Sequence, residues 1–349
     1  MSEARGASRA LLEVDGLAAS YHLRRGVSAA LARRPQSVVR AVDGVSLTVG
    51  RGEVVALVGE SGSGKSSLAQ TIMRAHPAQR GRIRFDGQEI TTLGSAQLRP
   101  LRRRMQMIFQ DPYESLDPRF RVRRTVSEPL VIHGIGDHAR RAELVSEALR
   151  ACGLDPPELF LDRYPHELSG GQRQRVAIAA ALALEPQLLI ADEPVSMLDV
   201  SVRAGVLNVL AGLRDSGLGI LLITHDLAVA ASFADRLYVM YLGRIVEQGP
   251  AHEVISAPSH PYTRALVSVT PRRTPRTGGA PQILAGEIPD ATRVPPGCRF
   301  HPRCPVATDA CRRSDPQLEP LPGPGGAAGQ HLAACILAPD RRVVQQTSR

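Results

Sequence analysis

The segment that most constrains this chain is GESGSGKS, residues 59–66, because its neighbours define the context in which it folds. EVVALV, just before it, is a short apolar and β-branched run typical of a buried strand, and KSSLAQTIMRA, from Lys65 onward, has helical spacing. A strand, a glycine-rich loop and a helix in this order match the pattern G-x-x-x-x-G-K-S/T, in which backbone N–H groups and the helix N-terminus surround phosphates. The sequence therefore predicts an α/β protein that binds a nucleotide.

Lys65 is the single lysine among 43 lysine and arginine residues, so arginine supplies the basic charge everywhere else. A compact ammonium on a flexible stem enters the crowded space between phosphate oxygens, whereas a planar guanidinium is too wide for it. We therefore expect Lys65 to reach the β- and γ-phosphates, and the hydroxyl of Ser66 to hold Mg²⁺.

Polar residues follow three further apolar runs. Asp192 and Glu193 end QLLIADE, Gln110 follows MQMIF, and His225 follows GILLIT. An α/β sheet presents its active site outside the carboxyl ends of its strands, so all four residues are expected there. Asp192 suits Mg²⁺, and Glu193 is placed to polarise the attacking water. His225 taken singly is more typical of a structural role, but this ordered set favours catalysis.

A second anion-binding signal lies in LSGGQRQRVAIAAALALEP, residues 168–186. A glycine pair opens a long helical run whose first turn lacks charge, and a helix N-terminus of this kind attracts anions. One chain with one phosphate loop has no evident nucleotide for this second site.

Together these motifs resemble the ATPase subunits of ABC transporters. The phosphate loop, FQDP, LSGGQ, LLIADEP, SMLD and THD occur in that family's order, and the resemblance as a whole covers nearly the whole chain. The resemblance implies that the signature closes on the nucleotide held by a partner ATPase, and that Tyr21 lies on the adenine ring. It also assigns the site residues. The catalytic residues are Gln110, Glu193 and His225, and the Mg²⁺ ligands are Ser66, Gln110 and Asp192. ATP is bound by Tyr21, Ser61, Gly62, Ser63, Gly64, Lys65, Ser66 and Ser67. The signature that acts in trans consists of Ser169, Gly170, Gly171 and Gln172, and the D-loop residue is Asp199.

Finer similarity points to the oligopeptide, dipeptide and nickel importers, and within them to the second ATPase of the pair. VVRAVDGVSL, RMQMIFQDPYESLDPR, YLGRIVEQGP and HPYTRALVSVTPR carry it. This resemblance implies an ABC nucleotide-binding domain over residues 1–257. That domain should hold an antiparallel β subdomain near residues 10–50, a parallel-sheet core, and a helical insertion over about 111–180 that carries the signature. A loop-rich extension over residues 258–349 should follow, entered through the linker TPRRTPRTGGAPQ. The loop DPYESLDPRF is expected to help receive a permease helix.

Charge, aromatic content and the length of apolar runs disfavour several classes of function. The formal charge of +9 is compatible with a nucleic-acid partner, but arginines are spread through the chain and aromatics make up only 3%, which disfavours stacking platforms for single strands. No run reaches the 18 apolar residues of a membrane span, and charged residues near the N-terminus argue against a signal peptide. We expect a peripheral protein at the cytoplasmic face of the cell membrane.

The resemblance implies an ATP-hydrolysing subunit that powers peptide import. Its implied partners are a second ABC ATPase, in a heterodimer, two permease subunits and an extracytoplasmic peptide-binding protein, with no nucleic acid. One alternative is an ABC ATPase acting on ribosomes or DNA, but such relatives usually carry two ATPase units or a long coiled coil, and neither is seen here. A nucleotide-binding regulator without turnover is another, against which Glu193 and His225 argue. An importer of another cargo, such as nickel, is the last.

Four of the five cysteines, Cys298, Cys304, Cys311 and Cys335, lie in the last sixth of the chain, whereas Cys152 is interpreted as a buried small hydrophobe. Clustered thiols in a reducing compartment favour a metal over a disulfide. Their spacings match neither zinc ribbons nor ferredoxin runs. Similarity to the peptide importers implies a 4Fe–4S cluster at these four residues. Zinc, and free or paired thiols, remain open alternatives, and His301 is a further candidate ligand.

Overall fold

The computed structural model describes residues 10–22, 38–111, 116–270, 284, 286–322 and 328–338. Most of the predicted linker, and residues 112–115 of the predicted permease-facing loop, lie outside this part of the chain. The strands are β1 (Leu12–His22), β2 (Val38–Val49), β3 (Val54–Val58), β4 (Arg80–Phe85), β5 (Gln88–Glu89), β6 (Met105–Ile108), β7 (Leu188–Asp192), β8 (Gly219–Thr224), β9 (Arg236–Tyr241), β10 (Arg244–Pro250), β11 (Glu319–Pro322) and β12 (Ala328–Ala333).

The helices alternate with these strands over much of the chain. They are α1 (Lys65–Ile72), α2 (Ser95–Arg104), α3 (Val122–His133), α4 (His138–Ala151), α5 (Glu158–Leu161), α6 (Gly170–Leu182), α7 (Val200–Asp215), α8 (Leu227–Phe233), α9 (Ala251–Ser256), α10 (Pro261–Val269) and α11 (Asp309–Arg313). Short 3₁₀ turns span Pro165–Glu167 and His301–Arg303. The chain divides into two compact units. Residues 1–12, 49–54 and 85–223 form the first, and residues 13–48, 55–84 and 224–349 form the second.

The first unit contains the parallel strands β6, β7 and β8, in that order. Every side chain of β7 and β8 is buried, as expected for parallel strands covered on both faces, which read as continuous apolar runs. Helices α3, α4 and α6 pack against one another, and α6 also contacts β6 and α7. The carboxyl end of β7 is where Asp192 and Glu193 lie.

In the second unit β1 lies between β2 and β4. The Gly16 N–H donates to Ser46 Oγ at 2.9 Å, and the Gln79 N–H donates to Ala18 O at 2.8 Å. Directly before β1, the Leu11 N–H donates to Val49 O, so residue numbers rise along β1 as they fall along β2. The predicted antiparallel sheet near residues 10–50 is therefore present.

The second unit also pairs β3 with β9 in parallel and continues as the antiparallel strands β10, β12 and β11. The C-terminal extension thus adds two strands to a sheet, although the sequence predicted only a loop-rich segment. Buried Glu247 holds this junction, because its carboxylate accepts from the N–H groups of Ser259 and His260 and contacts His331 Nε2 at 2.7 Å. A buried carboxylate with several partners avoids the desolvation cost of an unpaired charge.

The predicted strand–loop–helix context of the glycine-rich segment and the α/β class are both confirmed. Across the ranges that the structure describes, none of the helices combines the length and the apolarity that crossing a bilayer requires.

Candidate functional site

The glycine-rich loop wraps around the ammonium group of Lys65. Lys65 Nζ donates to Gly59 O at 2.8 Å and to Glu60 O at 2.9 Å, and the residue is only 5% exposed. A Cβ on Gly59 would lie 2.2 Å from Met240 O, and one on Gly64, which has a φ of 107°, would lie 2.0 Å from Ala41 O. The backbone therefore comes too close to its neighbours for any other residue at these two positions.

The remaining residues of the loop divide into an exposed and a buried set. Ser61, Gly62 and Ser66 are exposed, and Ser66 lies in the first turn of α1, where free N–H groups are available. Ser63 is buried, and its carbonyl accepts from the Gly243 N–H at 2.8 Å. The loop is thus anchored on one side and open on the other, as a phosphate cradle requires.

Tyr21 lies at the end of β1. Its hydroxyl donates to Gln70 Oε1 at 3.3 Å, and its ring stacks on His76 with centroids 4.1 Å apart. One ring face is therefore covered by His76, and stacking on adenine stays a prediction.

Gln110 and Glu193 are brought together in the first unit. Gln110 Nε2 donates to Glu193 Oε2 at 3.0 Å, although the two residues are far apart in sequence. Glu193 adopts a φ of 49° and its N–H donates to Ile223 O at 2.8 Å, so its backbone is held at the end of β7. Asp192, one residue earlier, is buried. The amide and the carboxylate thus form a polar pair at a strand end, which can orient a water molecule.

His225 follows β8 and is exposed. The next residue, Asp226, caps α8 by accepting from the N–H groups of Ala228 and Val229. The cap fixes where the helix begins and leaves the imidazole at the surface.

The signature segment begins α6 with reciprocal capping. Ser169 Oγ accepts from the Gln172 N–H, and Gln172 Oε1 accepts from the Ser169 N–H. A Cβ on Gly171 would lie 2.2 Å from Val202 Cγ1, so glycine allows α6 to approach α7. Asp199 precedes α7 and is exposed. The role of this helix N-terminus as an anion site stays a prediction.

The four clustered cysteines line one cavity in the second unit, together with His260 and His301. The cavity volume is about 10 Å³, room for about one water molecule. All four are free thiols. Burial raises the pKa of Cys298, and it raises the pKa of Cys304 to about 12 and that of Cys335 to about 11. The folded chain therefore keeps these three as neutral thiols in the absence of a metal.

The four cysteine donors favour an iron–sulfur cluster, whereas the small cavity between them does not. Within the described ranges, no group of three or more histidine, cysteine or acidic side chains is arranged to hold a metal ion. Four cysteines have the donor type and number that an iron–sulfur cluster uses. The cavity is too small for such a cluster unless the thiols swing outward. Cys152, in contrast, is fully buried away from this group, which confirms its interpretation as a small core residue.

Several residues next to the phosphate loop belong to no motif that predicts a role for them. Arg303 donates to both carboxylate oxygens of Glu60, at 2.8 and 3.3 Å, and the Glu60 N–H donates to the hydroxyl of Tyr262 at 2.8 Å. Arg299 donates to Leu242 O at 2.6 Å and pairs with Asp43. Nothing in their spacing distinguishes these arginines from the others in the chain. Sequence patterns single out only the segments that contain these residues, HPYTRAL for its similarity to the importers and CRFHPRC for its cysteines.

The chain matches two family models. Residues 42–196 match the ABC transporter family, and residues 246–311 match the oligopeptide/dipeptide transporter C-terminal region. A putative peptide import ATP-binding protein of Brucella ovis is 46% identical over 93% of this chain and 97% of its own length. The oligopeptide transport ATP-binding protein AppF of Bacillus subtilis is 43% identical over 94% of this chain and 97% of its own length.

Solved structures agree with this assignment. A dimeric, post-hydrolysis state of the ATP-binding cassette MJ0796 bound to ADP and Pi has a TM-score of 0.60 and 27% identity, and it covers 69% of this chain and 99% of its own. CbiO1 from Clostridium perfringens, part of the ABC transporter complex CbiONQ, has a TM-score of 0.60 and 30% identity, with 71% and 91% covered. This chain, with its phosphate loop, its signature and the strand β7 that ends at Asp192, thus belongs to the ABC transporter family and is one of its ATPases.

Proposed function

We propose that this chain hydrolyses ATP to power the import of peptides through a membrane transporter. The observation that carries the proposal is the oligopeptide/dipeptide transporter C-terminal region at residues 246–311, which distinguishes this branch from other ABC ATPases. Relatives named for peptide import, which align along more than nine-tenths of both chains, support the cargo class.

ATP would bind through its phosphates to the loop that holds Lys65, with the exposed N–H groups at the start of α1 facing the anion. Mg²⁺, through Ser66, Gln110 and Asp192, would neutralise charge that develops on the phosphates. Glu193 would polarise the attacking water, oriented by the hydrogen bond from Gln110. His225 would contact the γ-phosphate, and the ring of Tyr21 the adenine.

The signature residues Ser169, Gly170, Gly171 and Gln172 would complete the site of a partner ATPase. Support comes from the glycine pair that begins α6 and from the dimeric state of the related MJ0796 cassette. Asp199, at the start of α7, would lie at that dimer interface. We infer a heterodimer with a second ATPase of the same family.

The remaining partners would be two permease subunits and an extracytoplasmic peptide-binding protein, with the chain at the cytoplasmic face of the membrane. Exposed apolar side chains on the first unit, Phe109, Val131 and Ile132, offer material for a permease contact.

With their thiols swung outward from the present cavity, Cys298, Cys304, Cys311 and Cys335 would hold an iron–sulfur cluster. The support is the convergence of four thiols on one cavity in a segment with little core of its own, which would gain stability from a metal group. The cluster would be structural, because no cysteine belongs to an ATPase motif.

The composite site predicts that the isolated chain hydrolyses ATP slowly and that the assembled transporter hydrolyses it fast. Hydrolysis would be measured for a monomer, verified by light scattering, and for the complex purified through a tag on this chain, with and without peptide and its binding protein. The proposal expects a rise of at least about 10-fold in the complex, because each site lacks its signature in the monomer. A monomer as fast as the complex would exclude the trans role, and stimulation by DNA or ribosomes alone would contradict the transport role.

A further inference from the structure

The second residue of the phosphate loop, Glu60, is held by two segments of the C-terminal extension. Its N–H donates to the hydroxyl of Tyr262, in α10, and its carboxylate accepts two hydrogen bonds from Arg303. Its carbonyl also accepts from Lys65 Nζ at 2.9 Å. All three polar groups of Glu60 therefore have hydrogen-bond partners, and two of these partners, Tyr262 and Arg303, lie outside the ATPase motifs.

The ion pair is partly buried and geometrically specific. The side chain of Arg303 is 8% exposed and that of Glu60 is 25% exposed. Both guanidinium Nη atoms engage the two carboxylate oxygens, a two-point contact that fixes orientation as well as distance. The guanidinium also lies 5.9 Å from the centroid of the Tyr241 ring, within cation–π range.

The Tyr241 ring beside Arg303 belongs to a cluster of three aromatic side chains. Tyr241, Tyr262 and Phe300 contact one another, with ring centroids 4.7 to 5.4 Å apart. Arg299, four residues before Arg303, donates to Leu242 O. Gly243, which follows Leu242 in the chain, donates its N–H to Ser63 O in the phosphate loop. The segment from Arg299 to Arg303 is thus linked to the loop at two places.

A carboxylate at Glu60 is a problem for a loop that must receive phosphates. Negative charges repel at short range, and a partly buried charge is screened less than an exposed one. Arg303 neutralises this carboxylate and turns it toward the extension. Without Arg303, the carboxylate would keep its charge and be free to turn toward the nucleotide.

We propose that Arg303 is a positioning residue of the ATP site, which acts through Glu60 to keep the phosphate loop open to the phosphates. The inference rests on the proposed ATPase function and adds the C-terminal extension to the machinery that binds the nucleotide. Arg303 touches neither the nucleotide nor the reacting atoms.

The test is the affinity of the full chain for a fluorescent ADP analogue, MANT-ADP, with Mg²⁺. The chain contains no tryptophan, so intrinsic fluorescence interferes little. Arg303→Ala should weaken binding about 10-fold, about 1.4 kcal/mol, because the Glu60 charge is left without its partner. Arg303→Lys should keep most of the affinity, because a positive charge still faces the Glu60 carboxylate.

The double variant Glu60→Gln/Arg303→Ala separates positioning from general stability. Removing both charges should bring the affinity back to within about 3-fold of the wild type, because no uncompensated carboxylate remains. A structural role alone would lower the melting temperature of Arg303→Ala and leave the affinity of the folded fraction unchanged. Arg303→Gln, which keeps a donor and part of the stem, replaces Arg303→Ala should that variant not fold, and the same loss is expected.

The matched control is Arg312→Ala, an exposed arginine of the same extension that pairs with Asp309 and should bind as the wild type does. Wild-type affinity in folded Arg303→Ala, or a double variant as weak as Arg303→Ala, would overturn the inference. A wild-type chain that binds no adenine nucleotide would instead overturn the proposed function.

Discussion

At the scale of single residues, the phosphate loop shows why one lysine stands among so many arginines. Lys65 Nζ lies between two carbonyl oxygens, 2.8 and 2.9 Å away, in a nearly closed space. A point charge with three donors fits between these oxygens and can transfer to phosphate oxygens without moving the backbone. A guanidinium is planar and wider, so it cannot make the same exchange.

Lys65→Arg should therefore weaken MANT-ADP binding by about 10- to 100-fold even though the charge is kept, the loss expected for one or two charge-assisted hydrogen bonds. Arg140→Lys is the control, since Arg140 is an exposed arginine that pairs with Glu143 on α4, and its affinity should not change. Equal affinity of Lys65→Arg and the wild type would show that charge alone suffices.

The predicted residues and the missed ones differ in how their signal is encoded. The roles of Lys65 and Glu193 follow from local context, a glycine loop before a helix and an acid at a strand end. Arg303 is separated from Glu60 by 243 positions, and its role depends on a tertiary contact that no local spacing encodes. The hydrogen bond between Gln110 and Glu193 was likewise not predicted as a contact, although both residues were placed at strand ends.

At the scale of elements, the strands of the ATPase core could be predicted because parallel strands buried on both faces are continuous apolar runs. The pairing of β12 with β10 could not, because Ala328–Ala333 is short and its partner is distant in sequence. The buried contact between Glu247 and His331, which secures that pairing, has no sequence signal either. The four cysteines were predicted to form one group, and the fold brings them to one cavity.

The iron–sulfur proposal can be tested on the four clustered cysteines. Anaerobically purified full chain should contain iron and acid-labile sulfide and absorb near about 400 nm, and Cys304→Ser should lower the iron content because one of four thiolate ligands is lost. Cys152→Ser is the matched control, since Cys152 is fully buried and its pKa is raised by burial to about 12, and it should keep the full iron content. Wild-type protein without iron or sulfide would remove the cluster from the account.

At the scale of the whole molecule, the motifs of one ATPase are distributed over two compact units. The phosphate loop, His225 and the cysteine-lined cavity belong to the second unit, and the signature, Gln110 and Glu193 belong to the first. The extension is attached through sheet pairing and through the Arg303–Glu60 ion pair. The proposed positioning role of Arg303 would make the C-terminal region part of the nucleotide-binding apparatus as well as the feature that distinguishes the importer branch.

The central claim is that Glu193 drives ATP hydrolysis in an assembled peptide importer, and one measurement tests it most directly. ATP hydrolysis would be compared between complexes purified through the wild-type chain and through Glu193→Gln, with Glu143→Gln, an exposed glutamate on α4, as the control. We predict that Glu193→Gln binds ATP as the wild type does but hydrolyses it at least about 100-fold more slowly, because the water loses its carboxylate, whereas Glu143→Gln is unaffected. Steady hydrolysis by Glu193→Gln at the wild-type rate would contradict the account.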